Sequence, residues 1–219
     1  MDILIGIDNS KNCPGIAVWR GNLETDEFSL DSIKAYALVR KGEGSSDGIF
    51  NVIRRPDYES NIQIFTDNAE QILKLANFNR GKEDCVFAAM EDYSFNSKGR
   101  SITVLAENAG ILKNKLFYGI IGIRTYSPKL VKCFACPKGK GDKNSMHDAL
   151  NEKWGFETKF KKGVSPLADM VDAIWILTLL YVELKSKKGM VLNNYERETV
   201  TKKLEQGCLK DRHFEYFTV

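Results

Sequence analysis

Four acids in this chain stand at positions where carboxylates do metal-assisted chemistry. Asp8 ends the apolar run Ile3-Leu-Ile-Gly-Ile7, and Glu91 ends a second run that begins at Asp84. Asp169 and Asp172 sit near the start of a long apolar stretch that follows Pro166. An acid at the end of a buried strand is held rigidly, half out of the core, facing whatever binds at the sheet's rim. Parallel strands would put Asp8 and Glu91 at the same rim, where open α/β sheets build their sites. Three residues along a helix is about 4.5 Å of rise and roughly 60° of rotation, so Asp169 and Asp172 share a face. Brought together, two such charges 4 Å apart repel by about 4 kcal/mol at an effective dielectric near 20. Divalent cations remove that cost, and Mg²⁺ favours hard oxygen ligands from separate elements. Two ions roughly 3.5–4 Å apart can activate water on one side of a phosphodiester and stabilise the leaving oxygen on the other. Asp8 would bridge the two ions, Glu91 and Asp172 would flank it, and Asp169 would complete the second site or orient a water.

Each acid also has an ordinary reading. Asp8 could simply start a turn, and Asp169 could complement a helix dipole. Asp172 is harder to explain that way, because Ala173 to Val182 is apolar apart from Thr178. An acid entering so buried a helix needs a partner or a metal. Asp92 points away from Glu91 in an extended chain and reads as structural or as a cap. Only two histidines are present, and His147 reads as solvated on an exposed helix, so no Ser–His–Asp or Cys–His arrangement competes.

Two segments suit a polyanion. Pro137-Lys138-Gly-Lys140-Gly-Asp-Lys143, with Lys129 and Lys132 upstream, sets five cations against one acid. Its glycines would let backbone approach a phosphate, although the Walker spacing is absent. Tyr93-Ser-Phe95-Asn-Ser-Lys98-Gly-Arg100 mixes aromatics and cations, which suits base stacking and phosphate contact, or an ordinary turn. Cys133-Phe-Ala-Cys136 has metal or redox spacing but no second pair. Reduced thiols fit better, with Cys85 as a small core residue.

The positioning elements follow from periodicity. Ile3–Ile7, Gly15–Trp19 and Ser32–Val39 read as three antiparallel strands. Arg40 to Asp57, rich in Gly, Ser and charge, reads as a loop. Glu59 to Asn77 carries Ile62, Phe65, Ala69, Ile72 and Ala76 at helical spacing, and Asp84–Glu91 is a buried strand. A helix follows from a cap at Ser101 to about Phe117, with Ile102, Leu105, Ala106, Ala109, Leu112 and Leu116 inward. Ile120–Tyr126 is a further strand. A brief helix starts at Ser127-Pro128, another runs from Asn144 to Trp154 and stops at Gly155, and the last strong helix spans about Leu167–Lys187. The whole is an α/β fold with a five-stranded mixed sheet, three antiparallel strands then parallel ones, and helices on both faces. The tail from Asn193 carries a polar helix around Tyr195–Gln206.

With 219 residues, 43% apolar and 28% charged, the chain suits one generous domain with a real core. A net charge of +3 is too small to argue nucleic-acid binding alone. The longest apolar run is too short for a bilayer, which needs about 20 residues. No signal peptide is visible, so a cytoplasmic protein is expected.

Taken together, these pieces resemble the RuvC-like Holliday-junction resolvases of the ribonuclease H-like superfamily. The matching residues are Ile5-Gly-Ile-Asp8 with Gly15-Ile-Ala17, then Ala89-Met-Glu91 and Asn108-Ala-Gly110. Ser127-Pro with Val131-Lys132, Gly139-Lys-Gly-Asp-Lys143 and Ala168-Asp-Met-Val-Asp172-Ala follow in family order, covering roughly Met1 to Lys187. The resemblance implies a homodimer that nicks two strands of a four-way junction symmetrically with two Mg²⁺, Mn²⁺ substituting, and with no nucleotide cofactor or membrane. It implies Asp8, Glu91, Asp169 and Asp172 as catalytic metal-binding acids. Phe95, Lys98, Arg100, Lys132, Lys138, Lys140 and Lys143 would contact DNA, and the helix near Ser101–Phe117 would form the dimer interface. Residues 1–187 would be the nuclease domain with an insertion at about 40–57, and 188–219 a C-terminal helical extension. Ser10 stands where many members have Gly, so the turn after Asp8 is expected to differ. The compact size and the added segments resemble phage or viral versions, placed in the host cytoplasm. Other ribonuclease H-like nucleases share such acids, among them RNA–DNA hybrid ribonucleases and branched-DNA debranching enzymes. An actin-like phosphotransferase or a non-catalytic junction binder would use them less well.

Overall fold

The computed structural model describes residues 1–92, 100–119, 121–136 and 141–187. A sheet of seven strands runs through the molecule in the order β4-β5-β3-β2-β1-β6-β7. β1 (Asp2–Asp8), β2 (Gly15–Gly21) and β3 (Ile33–Val39) form the antiparallel meander expected from the sequence. β6 (Cys85–Glu91) and β7 (Gly122–Tyr126) join parallel to β1. The sheet exceeds the expected five strands because Arg40 to Asp57 is not an open loop. It contains β4 (Ser45–Asp47) and β5 (Phe50–Arg54), an antiparallel pair turning at Gly48, with β5 parallel to β3. The cause is short-range alternation inside a polar stretch: Phe50 and Val52 bury their side chains on one face of the sheet, while Asn51 between them is half-buried and Ile53 packs on the opposite face.

Three helices cover one face and two the other. α5 (Leu167–Lys187) crosses β1, β2, β6 and β3, with α3 (Pro128–Ala135) and α4 (Lys143–Trp154) beside it. Ser127 caps α3 by accepting from Leu130 N, and Pro128 takes the first turn, where its missing N–H costs nothing. Gly155 ends α4 at φ 62°. The opposite face holds α1 (Asn61–Asn77), capped by Ser60, and α2 (Arg100–Tyr118). α2 starts at Arg100, so Ser101 lies within it rather than at a cap. Its expected stripe is inward only in the later turns, at Ala109, Leu112 and Leu116, whereas Ile102 and Ala106 are exposed. Ile62 of α1 is exposed as well. Cys85, expected in the core, is exposed at the first position of β6, because the inward register of that strand falls on Val86, Ala88 and Met90.

The two faces differ in side-chain size. Toward α1 and α2 the sheet presents Ile3, Ile5, Ile7, Ile16, Val18 and Leu38. Toward α5 it presents Gly6, Gly15, Ala17, Ala35, Ala37 and Ala89 among larger residues. A methyl group at Gly6 would overlap the Ala173 carbonyl, and one at Gly15 would overlap that of Asp169. These glycines let the α5 backbone lie directly on β1 and β2. Arg124 and Tyr126 of β7 tie the far end of α5 through Glu183, at 3.1 Å and 2.7 Å.

Candidate active site

β1 is a central strand, and its residues alternate between faces, so Asp8 projects to the same side as Leu4 and Gly6, toward α5. Glu91 shares its side of β6 with Ala89. Both acids therefore stand at the carboxyl ends of neighbouring parallel strands, on the face crossed by α5. The contact of Gly15 with the backbone of Asp169 fixes where the α5 acids fall. Asp169 is 5% exposed, and Asp172 lies one turn further along.

The electrostatics show how close the four have come. Burial first, then the charges of Asp172, Asp169 and Glu91, push the Asp8 carboxyl well above its usual range. Burial and the Glu91 charge push Asp172 up to about 7. Burial raises Glu91, with Lys132 pulling the other way. Among the described residues, lysines oppose this negative charge. Lys143 Nζ stands 3.3 Å from Asp169 Oδ1. Partial burial works against its ammonium, yet Asp169, Asp172 and Asp8 raise its pKa and keep it charged. Among the described residues Asp169 Oδ2 is buried and accepts no hydrogen bond of normal length, the Cys13 thiol being the group that faces this carboxylate.

The core explains why the acids tolerate one another. Seven large side chains of α5, Ile174 to Leu177 with Leu179, Leu180 and Val182, are at most 1% exposed. Each is worth roughly 1.5–3 kcal/mol when fully buried, against about 4 kcal/mol of repulsion for a close pair of charges. Packing elsewhere on the helix holds the acids together.

The turn between Asp8 and β2, where Ser10 replaces the Gly common in the resembling family, is held by side chains. Ser10 Oγ accepts from Cys13 N at 3.2 Å, and Asn108 Nδ2 of α2 donates to Asn9 O at 3.0 Å. Arg55, just past β5 and 2% exposed, donates to Lys11 O at 2.9 Å, to Asn12 O at 3.0 Å and to Asn68 Oδ1. No carboxylate forms an ion pair with Arg55 among the described residues, so its guanidinium is spent on backbone carbonyls of this turn. Sequence reasoning did not select Arg55, Asn108 or Gly15 for these roles.

Of the cations expected at the site, Lys143 and Lys132 reach the acids. Phe95, Lys98, Lys138 and Lys140 lie outside the described residues, as does the side chain of Arg100. His147 is not solvated: its side chain is 14% exposed and meets Phe156 edge-on. Cys133 and Cys136 are free thiols at the end of α3. Among the described residues no three acids, thiols or imidazoles are drawn close enough to enclose an ion as they stand.

No protein-family model and no curated protein matches the sequence, but solved structures match the fold. A Thermus thermophilus RuvC structure aligns over 86% of this chain and 97% of its own, with TM-score 0.54 and 16% identity. T. thermophilus RuvC in complex with Holliday junction substrate aligns over 85% and 96%, with TM-score 0.53 and 18% identity. The mixed sheet with helices on both faces is thus a ribonuclease H-like fold. Within that class the fold is similar to that of RuvC.

Proposed function

We propose that this protein is a metal-dependent endonuclease that resolves four-way DNA junctions by paired, symmetric nicks. The observation that carries the reading is the convergence of Asp8, Glu91, Asp169 and Asp172 at one strand edge of a RuvC-like fold, where the neighbouring acids help to raise the Asp8 and Asp172 carboxyls. The donor set among the described residues fits hard divalent cations: four carboxylates, a buried carboxylate oxygen that accepts no hydrogen bond of normal length, and too few cations to balance them. Asp8, Glu91, Asp169 and Asp172 would hold two Mg²⁺ or Mn²⁺. When bound, the ions supply a lowered water pKa and charge stabilisation at the leaving oxygen.

The chain's own residues do the rest. Lys143 and Lys132 flank the acids and hold a phosphate against them, a contact that carries no sequence preference. Without metal, burial and the Glu91 charge push Asp172 up to about 7, so binding a cation there would release its proton. Asn108 and Arg55 fix the turn after Asp8, so the carboxylate does not have to be ordered when substrate arrives. Paired nicks need two copies. Exposed Ile102 and Ala106 on α2 support a homodimer through that helix. In this reading residues 1–187 are the nuclease domain, with β4 and β5 as its insertion, and 188–219 a C-terminal extension.

The test uses the full chain with a four-way junction, a flap and an RNA–DNA hybrid, each with Mg²⁺ or with a chelator. Junction cleavage should need the metal. Asp8→Asn and Glu91→Gln should each lower the rate roughly a thousandfold, the scale of losing one preorganised charge-stabilising group, while junction binding persists. Preferred cleavage of the hybrid would make the protein a hybrid ribonuclease instead.

A further inference from the structure

Beside the acids a groove of about 460 Å³ opens between the end of β3 and the start of α5, lined by Asn12, Cys13, Val39, Arg40, Lys41 and Pro166 among others. The strand register sets its place. Asp8, Gly15 and Ala37 lie in one row across β1, β2 and β3. β3 runs parallel to β1, so Arg40 projects three residues, about 10 Å, beyond that row on the same rim. Two strand spacings, again about 10 Å, separate it sideways from Asp8. The inner wall is Cys13, next to the Asp169 charge, so the groove begins one side chain away from the acids.

Its charge is positive and only loosely held. Arg40 forms one long ion pair, Nε to Asp57 Oδ1 at 3.9 Å, with the Asp57 side chain 70% exposed, and among the described residues Nε donates no hydrogen bond. Lys41 is exposed and forms no ion pair among the described residues. Val39 and Pro166 give the groove an apolar wall. Cations beside a carbon surface, in a space large enough for a small ligand, match a nucleotide: phosphate on the cations, sugar or base on the wall. On the opposite flank Lys132 faces Glu91 and Asp172. A strand crossing from Lys132 over the acids would run into this groove.

We propose that the groove is a nucleotide subsite in which Arg40 and Lys41 hold a backbone phosphate of the DNA strand being cut, about four phosphates from the scissile bond at the 3.4 Å per charge of one B-form strand. The proposal rests on the nuclease reading and extends it to a flank built by β3 and the β4–β5 insertion.

The experiment measures binding of a four-way junction in Ca²⁺ by the full chain and by the Arg40→Gln/Lys41→Gln double variant, between 50 and 200 mM salt. One lost phosphate contact should make the variant's affinity fall about threefold less across that range. Lys74→Gln/Lys82→Gln, exposed cations elsewhere, should leave the dependence unchanged, and Arg40→Lys should retain it. Methylphosphonates are then scanned one position at a time through both flanks of the cut, well past the fourth phosphate. One neutral position should weaken binding by wild type and leave the double variant unaffected. An unchanged salt dependence, or equal sensitivity of both proteins at every position, overturns the subsite. Absence of junction binding or cleavage by wild type overturns the nuclease reading itself, and the two failures are told apart by that control.

Discussion

The two faces of the sheet teach different lessons. The α1–α2 face is filled by branched side chains, and ordinary core packing holds those helices away from the strands. The α5 face is stripped to glycine and alanine along its middle, which brings the helix backbone onto β1 and β2 and carries Asp169 and Asp172 to Asp8. One face provides stability. The other gives up side-chain volume to place charges, and the buried length of α5 beyond the acids offsets their repulsion.

The largest effect should come from breaking this asymmetry at its closest point. Gly15→Ala forces the new methyl against the Asp169 carbonyl. Such overpacking costs about 1–3 kcal/mol, and a displacement near 1 Å at a site can cost roughly a hundredfold in rate. Thermal denaturation and junction-cleavage rates should show both losses. On the other face Ile5→Val should cost only about 0.5–1.5 kcal/mol and leave the cleavage rate unchanged. Equal activity losses from the two variants would mean that the close contact of α5 has no special role.

Arg55 comes next. Arg55→Met keeps much of the volume but strands Lys11 O, Asn12 O and Asn68 Oδ1, each worth about 1–3 kcal/mol when buried and unpaired. Stability should fall by a few kcal/mol, and Arg55→Lys should rescue little, since an ammonium cannot reproduce the guanidinium fork. Chemical denaturation with both variants decides.

This residue also shows what could be read in advance. Strands ending on Asp8 and Glu91, the capped start of α3 at Ser127-Pro128 and the buried run of α5 are all local patterns, and each lies where hydrophobic periodicity places it. Arg55 follows a stretch dominated by Lys, Gly, Ser and Glu, where a guanidinium reads as solvated. Only the pairing of β5 with β3 puts it under the Asp8 turn. The β5 signal was present but short, resting on Phe50 and Val52. The roles of Gly6 and Gly15 are tertiary: nothing along the chain says which glycine a helix will lie against. Asn108 stood out in the sequence only as part of the matching Asn108-Ala-Gly110, and its hydrogen bond to Asn9 O emerges only where α2 meets the turn.

A smaller effect distinguishes the acids from the core that holds them. Asp172 titrates at about 7 in the folded protein against an ordinary value of 3.8. Between those values the folded state binds the extra proton. The contribution of Asp172 to metal-free stability is therefore fully present below about pH 4, falls as the pH rises, and is lost above about 7. Asp172→Asn should raise the melting temperature in chelator at pH 8, by about 2–4 °C for each kcal/mol of repulsion removed, and make little difference at pH 4. A variant less stable than wild type at pH 8 would show that the carboxylate is compensated without metal.

Calorimetric titration of the full chain with Mn²⁺ at pH 6.5, in buffers of different ionisation heat, tests the convergence of the acids most directly. Binding should release protons from the raised carboxyls, and Asp8→Asn should abolish or severely weaken it. Mn²⁺ binding that is undetectable, or that survives unchanged in Asp8→Asn, would contradict a metal site built from Asp8, Glu91, Asp169 and Asp172.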